Sequence, residues 1–376
     1  METKYSKVKQ AIKSRIIDGT YTPHQKINSE SELMKEFGVS RHTVRLAIGD
    51  LVTTGWLYRE QGSGTFCADR TEENHNRTIS NQKNIAIVTT FISDYIFPSI
   101  IRGAESRLSQ EGYQVSIFST NNDPEKEREI LEKILSQSFD GVIVEPTKSA
   151  FSNPNISYYL NLERLGLPYI MINAYYDELE PISIIVDDEM GGFIQAEHLI
   201  QLGHTDIAGC FKTDDAQGTR RMKGFLKAHR KYGIPLNPKN IITYDTENKN
   251  TKPLDEIEKI ISTKHNTITG IVGYNDELVI EILNLLRAKK ITVPGDVSIV
   301  GYDDSFLAEV SEVKLTSIIH PKSEMGRAAA DTIIELIKIR ANKNKVESPY
   351  EHSIVYNPKL IVRNSTKGLT PVEITS

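Results

Sequence analysis

SRHTVRLAIGDLVTTGWLYREQGSGTF, residues 40–66, decides how the N-terminal part of the chain is read. Ser40 can cap a helix whose inner face is Val44, Ala47, Ile48 and Leu51, recurring at helical spacing. Arg41 and Arg45 lie one turn apart on the opposite face, with His42 and Thr43 in the first turn. Gly55–Tyr58 and Gly64–Phe66 then read as two short strands joined by Arg59–Ser63, a hairpin wing. Upstream, Tyr5, Val8, Ile12 and Ile16 predict a first helix that Gly19 stops. Ser29-Glu-Ser-Glu32 is a capping box before a short second helix carrying Leu33, Met34 and Phe37, which Gly38 ends. A tight turn between helices two and three predicts a helix-turn-helix.

The chemistry of this head suits DNA. The start of the third helix is the end that meets base edges in a major groove, and Arg45 can donate twice to guanine O6 and N7. Ser29, Thr43 and the free N–H groups at helix starts suit phosphate oxygens. Gly62 and Gly64 let the wing backbone come close, Gln61 at its tip can reach a minor-groove base, and Lys4, Lys7 and Lys9 can clamp phosphates. An ordinary three-helix domain with solvated arginines is the rival reading. The fixed order of helix-turn-helix, SRxTVRxAIxxL and glycine-rich wing argues against it. Charge agrees: residues 1–70 hold 11 Lys+Arg against 8 Asp+Glu, the remainder 34 against 42.

On these motifs residues 1–66 resemble the winged helix-turn-helix head of the GntR family of bacterial repressors. The resemblance implies DNA contacts from Ser29, Glu30, Arg41, His42, Thr43, Arg45, Gln61, Gly62, Ser63 and Gly64, to which Lys4 is added as a phosphate clamp. Glu30 is an odd neighbour for phosphate. It fits if it accepts from cytosine N4 or orients an arginine.

Residues 67–83, CADRTEENHNRTISNQK, are polar and read as a linker. From Asn84 to residue 366, apolar strands alternate with amphipathic helices: 84–90, 114–119, 141–144, 168–172, then 206–211, 268–273 and 297–302 as strands. That rhythm predicts a parallel sheet with helices on both faces. Two successive βαβ sets predict two lobes, with ligand at the carboxyl ends of strands in the cleft between them. Residues 238–265 are too polar to assign. The fold class is therefore α/β: a small winged helix-turn-helix head plus a two-lobed parallel α/β body.

SDYIFPSIIRGAESRLSQEGY, VDDEMGGFIQAEHLIQLGH, GTRRMKGFLKAHRKYGI, YNDELVIEIL, VPGDVSIVGYDDS and LTSIIHPKSEMGRAA make the body similar to the effector-binding domain of LacI/GalR repressors, related in fold to periplasmic sugar-binding proteins. SDYIFPSIIRG and VEPTKSA are closest to regulators that respond to L-arabinose. The resemblance implies a homodimer on double-stranded operator DNA, released by a sugar effector, with L-arabinose expected. A regulator of another pentose or a nucleoside, or a sugar-binding protein whose head serves assembly, are the alternatives. A neutral sugar needs paired hydrogen bonds and an aromatic face. The expected contacts are Tyr95, Phe97, Glu145, Lys148, Asn173, Arg221, Asp276 and His320, with Arg221 and Asp276 foremost. Each has a plainer reading: Asp276 as a helix cap, Arg221 paired with Asp214 or Asp215, Tyr95 and Phe97 in the core, His320 as a satisfied polar group.

The bulk numbers close off other classes. The 376 residues are 39% hydrophobic and 25% charged, globular rather than disordered. No apolar run spans a bilayer, the N-terminus lacks a signal peptide, and Cys67 and Cys210 form neither a disulfide framework nor a metal motif. A cytoplasmic location is expected, with no membrane partner, metal or cofactor. No GxSxG, HExxH or P-loop is present, so no catalytic residue is assigned.

Overall fold

Capping chemistry places the first helices in the computed structural model, which describes residues 3–69, 83–92, 95–263, 267–341 and 353–369. Helix α1 runs Lys4–Ile17, and Gly19 follows it with φ +81°. Ser29 and Glu32 complete both halves of the capping box of α2, Glu30–Phe37, which ends on left-handed Gly38. Ser40 accepts from the Thr43 N–H to start α3, Arg41–Thr53. The wing is β1, Leu57–Glu60, antiparallel to β2, Gly64–Cys67. Strand β2 takes in Cys67, the first residue assigned to the linker, and buries it. Most of that linker, 70–82, lies outside the described residues.

The body has two six-stranded sheets. The N-lobe sheet is ordered β13-β7-β6-β5-β3-β4, with every pair parallel. It comprises β3 (Asn84–Thr89), β4 (Gln114–Ser119), β5 (Gly141–Val144), β6 (Tyr169–Ile172), β7 (Ser183–Val186) and β13 (Ile354–Tyr356). The C-lobe sheet is ordered β14-β12-β11-β10-β8-β9 and is parallel except for the β12–β14 pair. Its strands are β8 (Ile207–Lys212), β9 (Ile241–Tyr244), β10 (Gly270–Val272), β11 (Ser298–Asp303), β12 (Thr316–Ile319) and β14 (Leu360–Ile361). Strands β5 and β6 are buried throughout, as sheets covered on both faces require.

Helices α4 (Phe97–Gln110), α5 (Pro124–Ser136) and α6 (Ile156–Arg164) belong to the N-lobe. Helices α7 (Asp188–Gln201), α8 (Ala216–Tyr232), α9 (Lys252–Ile261), α10 (Asp276–Ala288) and α11 (Phe306–Val310) belong to the C-lobe. The last, α12 (Lys322–Ala341), returns to pack on α4. Helices α7 and α8 meet backbone to backbone: a Cβ on Gly192 would lie 2.1 Å from the Arg221 carbonyl oxygen. The chain passes between lobes three times, near residues 187, 320 and 357–359. Residues 238–263 hold β9 and α9, elements their polarity had hidden. Among the described residues no helix is long and apolar enough to cross a membrane.

Candidate functional site

The head presents its expected DNA-facing residues to solvent. Lys4, Ser29, Arg41, His42, Arg45, Gln61, Gly62, Ser63 and Gly64 are exposed; Thr43 is half-buried and shares a 2.9 Å hydroxyl contact with Ser40. The α3 face opposite Arg41 and Arg45 is buried through Val44, Ala47, Ile48 and Leu51. Glu30 settles on an arginine: both its carboxylate oxygens accept from Arg45 Nε, at 3.0 and 2.9 Å, and Arg41 Nε stands 3.9 Å away. Gly62 and Gly64 have φ of +80° and +128°, so the wing tip needs glycine.

In the body a cavity of about 370 Å³ opens between the lobes at the strand ends. Six of the eight expected effector contacts line it: Tyr95, Phe97, Glu145, Asn173, Arg221 and His320. Glu145 follows β5 and accepts from the Thr90 N–H and hydroxyl, at 2.9 and 2.6 Å. Asn173 follows β6, donates to Glu145 at 2.9 Å, and its Oδ1 lies 3.0 Å from His320 Nε2. Since that oxygen can only accept, His320 carries its proton on Nε2. Burial, with the Lys322 and Arg221 charges behind it, drives the imidazole down to about 3, so it is neutral. Its Nδ1 is a buried acceptor without a partner among the described residues. Burial also pushes the Glu145 carboxyl up, against the donors from Thr90 and Asn173.

Arg221 is held from three sides. Its Nε donates to Asp188 and its Nη1 to the Tyr274 carbonyl, both at 2.8 Å, and its guanidinium stacks 3.4 Å from the Tyr302 ring centroid. The partner is Asp188, not Asp214 or Asp215, which pair with Lys212. Burial works against the Arg221 charge, but the Asp188 and Asp303 carboxylates beside it keep the guanidinium protonated. Phe91 and Phe97, 6.0 Å apart, bring aromatic faces from the N-lobe; Tyr244 and Tyr274, 6.2 Å apart, bring them from the C-lobe.

Two expected contacts stand elsewhere. Asp276 does not line the cavity: it is fully buried, its carboxylate accepting from the Ser305 N–H at 2.8 Å and the Ser317 hydroxyl at 2.7 Å. Neither is it the cap; Asn275 caps α10 and lines the cavity in its place. Lys148 lies outside the lining and pairs with Glu247 at 2.6 Å across the cleft. Tyr95 also joins the lobes, accepting from the Asp276 N–H and donating to the Tyr302 carbonyl, both at 3.0 Å. Lys212, Asp215 and Glu277 line the cavity as well; Lys212 closes a strand, the signal that could have found it. Tyr95, Asn173 and Asp303, which line the cavity, all have positive φ. Among the described residues no cluster of His, Cys, Asp or Glu could hold a metal ion.

The model of bacterial regulatory proteins of the gntR family matches residues 4–67, and that of a periplasmic binding protein-like domain matches 196–366. The arabinose metabolism transcriptional repressor of Halalkalibacterium halodurans is 59% identical over 97% of each chain. Its namesake from Geobacillus stearothermophilus is 48% identical over 97% of this chain and 98% of its own. Among solved structures, a LacI family transcriptional regulator from Enterococcus faecium with bound ribose superposes with a TM-score of 0.63, at 23% identity, over 76% of this chain and all of its own. A complex of the transcriptional regulator CelR with cellobiose superposes with a TM-score of 0.64, at 21% identity, over 94% of both. A GntR-type reading head on a cleft-bearing body of LacI-like fold, matched end to end by these relatives, places the chain in the family of arabinose metabolism transcriptional repressors.

Proposed function

We propose that this chain represses L-arabinose utilisation genes, holding duplex operator DNA through the two heads of a homodimer and letting go when its cleft takes up L-arabinose. One observation carries the reading. A winged helix with Arg41 and Arg45 exposed shares a chain with an inter-lobe cavity of about 370 Å³ lined by polar side chains and aromatic rings. Glu145, Asn173, His320 Nδ1 and Arg221 offer neighbouring acceptors and donors to hydroxyls, and the rings offer flat faces to C–H groups. The neutral imidazole and the single buried guanidinium suit an uncharged ligand. The names of the relatives supply the choice of pentose.

Phe306 and Val310 on α11 and the nearby chain position Val362 are 74%, 54% and 60% exposed. Apolar side chains left in water in this way support a contact with a second copy. The protein acts as a binder, not an enzyme, in the cytoplasm, where its DNA lies. Sugar must favour the released form: passing from 1:99 to 99:1 takes about 10⁴-fold preference, about 5.5 kcal/mol.

The test is operator retention on a native gel, titrated with L-arabinose, other pentoses and nucleosides. Release by L-arabinose alone is expected. Release by a different pentose reassigns the effector, and retention whatever is added overturns the sensor. Unaltered operator binding by Arg45→Ala overturns the recognition helix.

A further inference from the structure

Helix α1 has work at both ends. Val8 and Ile12 belong to the head's core, while Ser14, Ile16 and Ile17 meet the body. Ile16, Ile17 and Trp56, at most 7% exposed, close against Leu135, Asn161 and Leu165 at the ends of α5 and α6, around a void of only about 20 Å³. Ser14 Oγ lies 2.9 Å from the Tyr158 hydroxyl, which donates its own proton to Glu132 on α5 at 3.0 Å, so Ser14 is the donor. The head core and one face of the N-lobe form a single apolar cluster. A head that merely hung from a linker would have no such seat.

The helices under this seat are bonded to the cleft. Glu127 on α5 is fully buried and accepts from Tyr159 at 2.5 Å, Tyr176 at 2.8 Å, and Asn153 and Asn155 at 3.0 Å each. The Tyr176 hydroxyl in turn accepts from the Thr147 N–H at 2.7 Å. Thr147 lies in the loop after β5. There Glu145 and Pro146 line the cavity, Lys148 reaches Glu247, and Ser149 accepts from the Ala216 N–H at 3.0 Å. One loop thus lines the ligand cavity, bonds the opposite lobe and, through Tyr176 and Glu127, reaches the helix on which the head rests.

We infer that docking of the head on α5 and α6 is the switch, and that the docked arrangement, found here together with bonds across the cleft, is the form released from DNA. The inference rests on the repressor reading above. Closure over the effector lets Lys148 and Ser149 engage the C-lobe, and the loop, through Tyr176 and Glu127, sets α5 to receive α1. A docked head still exposes α3 but has one orientation on its body. Two docked heads in a dimer therefore reach two half-sites at a single spacing and angle, which differs from the operator's. Undocking frees both heads to find them.

The test measures operator Kd for the full chain with and without saturating L-arabinose. Leu165→Glu sets a carboxylate in the seat, and Tyr158→Phe removes the hydroxyl between Ser14 and Glu132. In Leu165→Glu the ratio of the two Kd values falls by about tenfold, and the ratio of sugar Kd with operator to sugar Kd without it falls by the same factor because coupling is reciprocal. In Tyr158→Phe the ratio falls about threefold, the scale of one hydrogen bond. Sugar-free operator affinity is unchanged in both. A wild-type ratio in folded Leu165→Glu overturns the inference. If that variant does not fold, a wild-type ratio in the Ser14→Ala, Tyr158→Phe double variant does so. If the wild-type chain itself is not released by L-arabinose, the repressor reading fails first and docking falls with it. Release of wild type with undiminished release of the variants sinks docking alone.

Discussion

Arg221→Ala is the perturbation whose size can be worked from the structure. The guanidinium bonds Asp188 at 2.8 Å and stands 3.8 Å from Asp303, carboxylates that are 2% and 3% exposed. Removing one member of a buried ion pair strands the other, at about 3–5 kcal/mol. Burial already raises both carboxyls, and the Arg221 charge is the counterweight for each. Without it both rise further. A carboxyl whose folded pKa exceeds its unfolded one binds more protons when folded. Stability is therefore greatest below the unfolded value and is lost as pH rises through the folded one. The variant's penalty is thus larger at pH 8 than at pH 6, by up to about 1.4 kcal/mol per pH unit for each proton held. Urea unfolding followed by circular dichroism at both pH values reads this directly. A midpoint within error of wild type at pH 8, or the same loss at both pH values, refutes the account of Arg221 as counter-ion to two buried acids. Sugar-induced stabilisation should vanish in the same variant, measured as the shift in Tm with added L-arabinose.

Asp276 gives a second pH signature. Burial and the Asp303 charge push its carboxyl to about 7, so protonation stabilises the fold below that value and the benefit is lost above it. Asp276→Asn should melt higher than wild type at pH 8 and show a flatter Tm profile between pH 5 and 8. Asn173→Leu cuts the link between Glu145 and His320, and should weaken sugar binding by about 1–3 kcal/mol in calorimetry while sparing operator binding without sugar. Gly192→Ala drives a methyl into the Arg221 carbonyl and should lower Tm by forcing α7 and α8 apart, at about 1–3 kcal/mol. Glu30→Ala frees Arg45; binding to random-sequence DNA should strengthen in filter assays while discrimination for the operator narrows.

The head was legible because its signals are local. Ser29, Ser40, Gly19 and Gly38 act on their own turns, and the structure uses each as read. The body's first strands were legible because both sheet faces are covered, so runs such as GVIV and YIMI are apolar throughout. Strands β7 and β12 went unassigned, and β13 and β14, of three and two residues, are too short for a period to show. Long α12 went unassigned although its motif was noted; small Ala329 and Ala330 supply part of its buried face and mute the pattern. In the cleft, Glu145 and Asn173 followed from their positions at strand ends. Arg221 lines the cavity, but its partner lies 33 residues away, and only the approach of α7 to α8 brings Asp188 to it. Asp276 stands one position from the lining: the turn into α10 points Asn275 at the cavity and its neighbour inward. A one-residue choice of that kind is made by packing, on which the sequence of the turn is silent.

The three passages between lobes act as an axle. A single connection would let the halves swivel freely, and two would still let them shear; three restrict them to far fewer easy motions. His320 rides on one of these passages and also faces the cavity. Points on an axle travel least, so this imidazole and the Asn173 amide beside it keep their spacing whether the jaws stand apart or together. A hydroxyl arriving in the gaping form can be gripped there first. Lys148, outside the lining, meets Glu247 of the opposite lobe away from this pivot, so closing the jaws is what makes that pair.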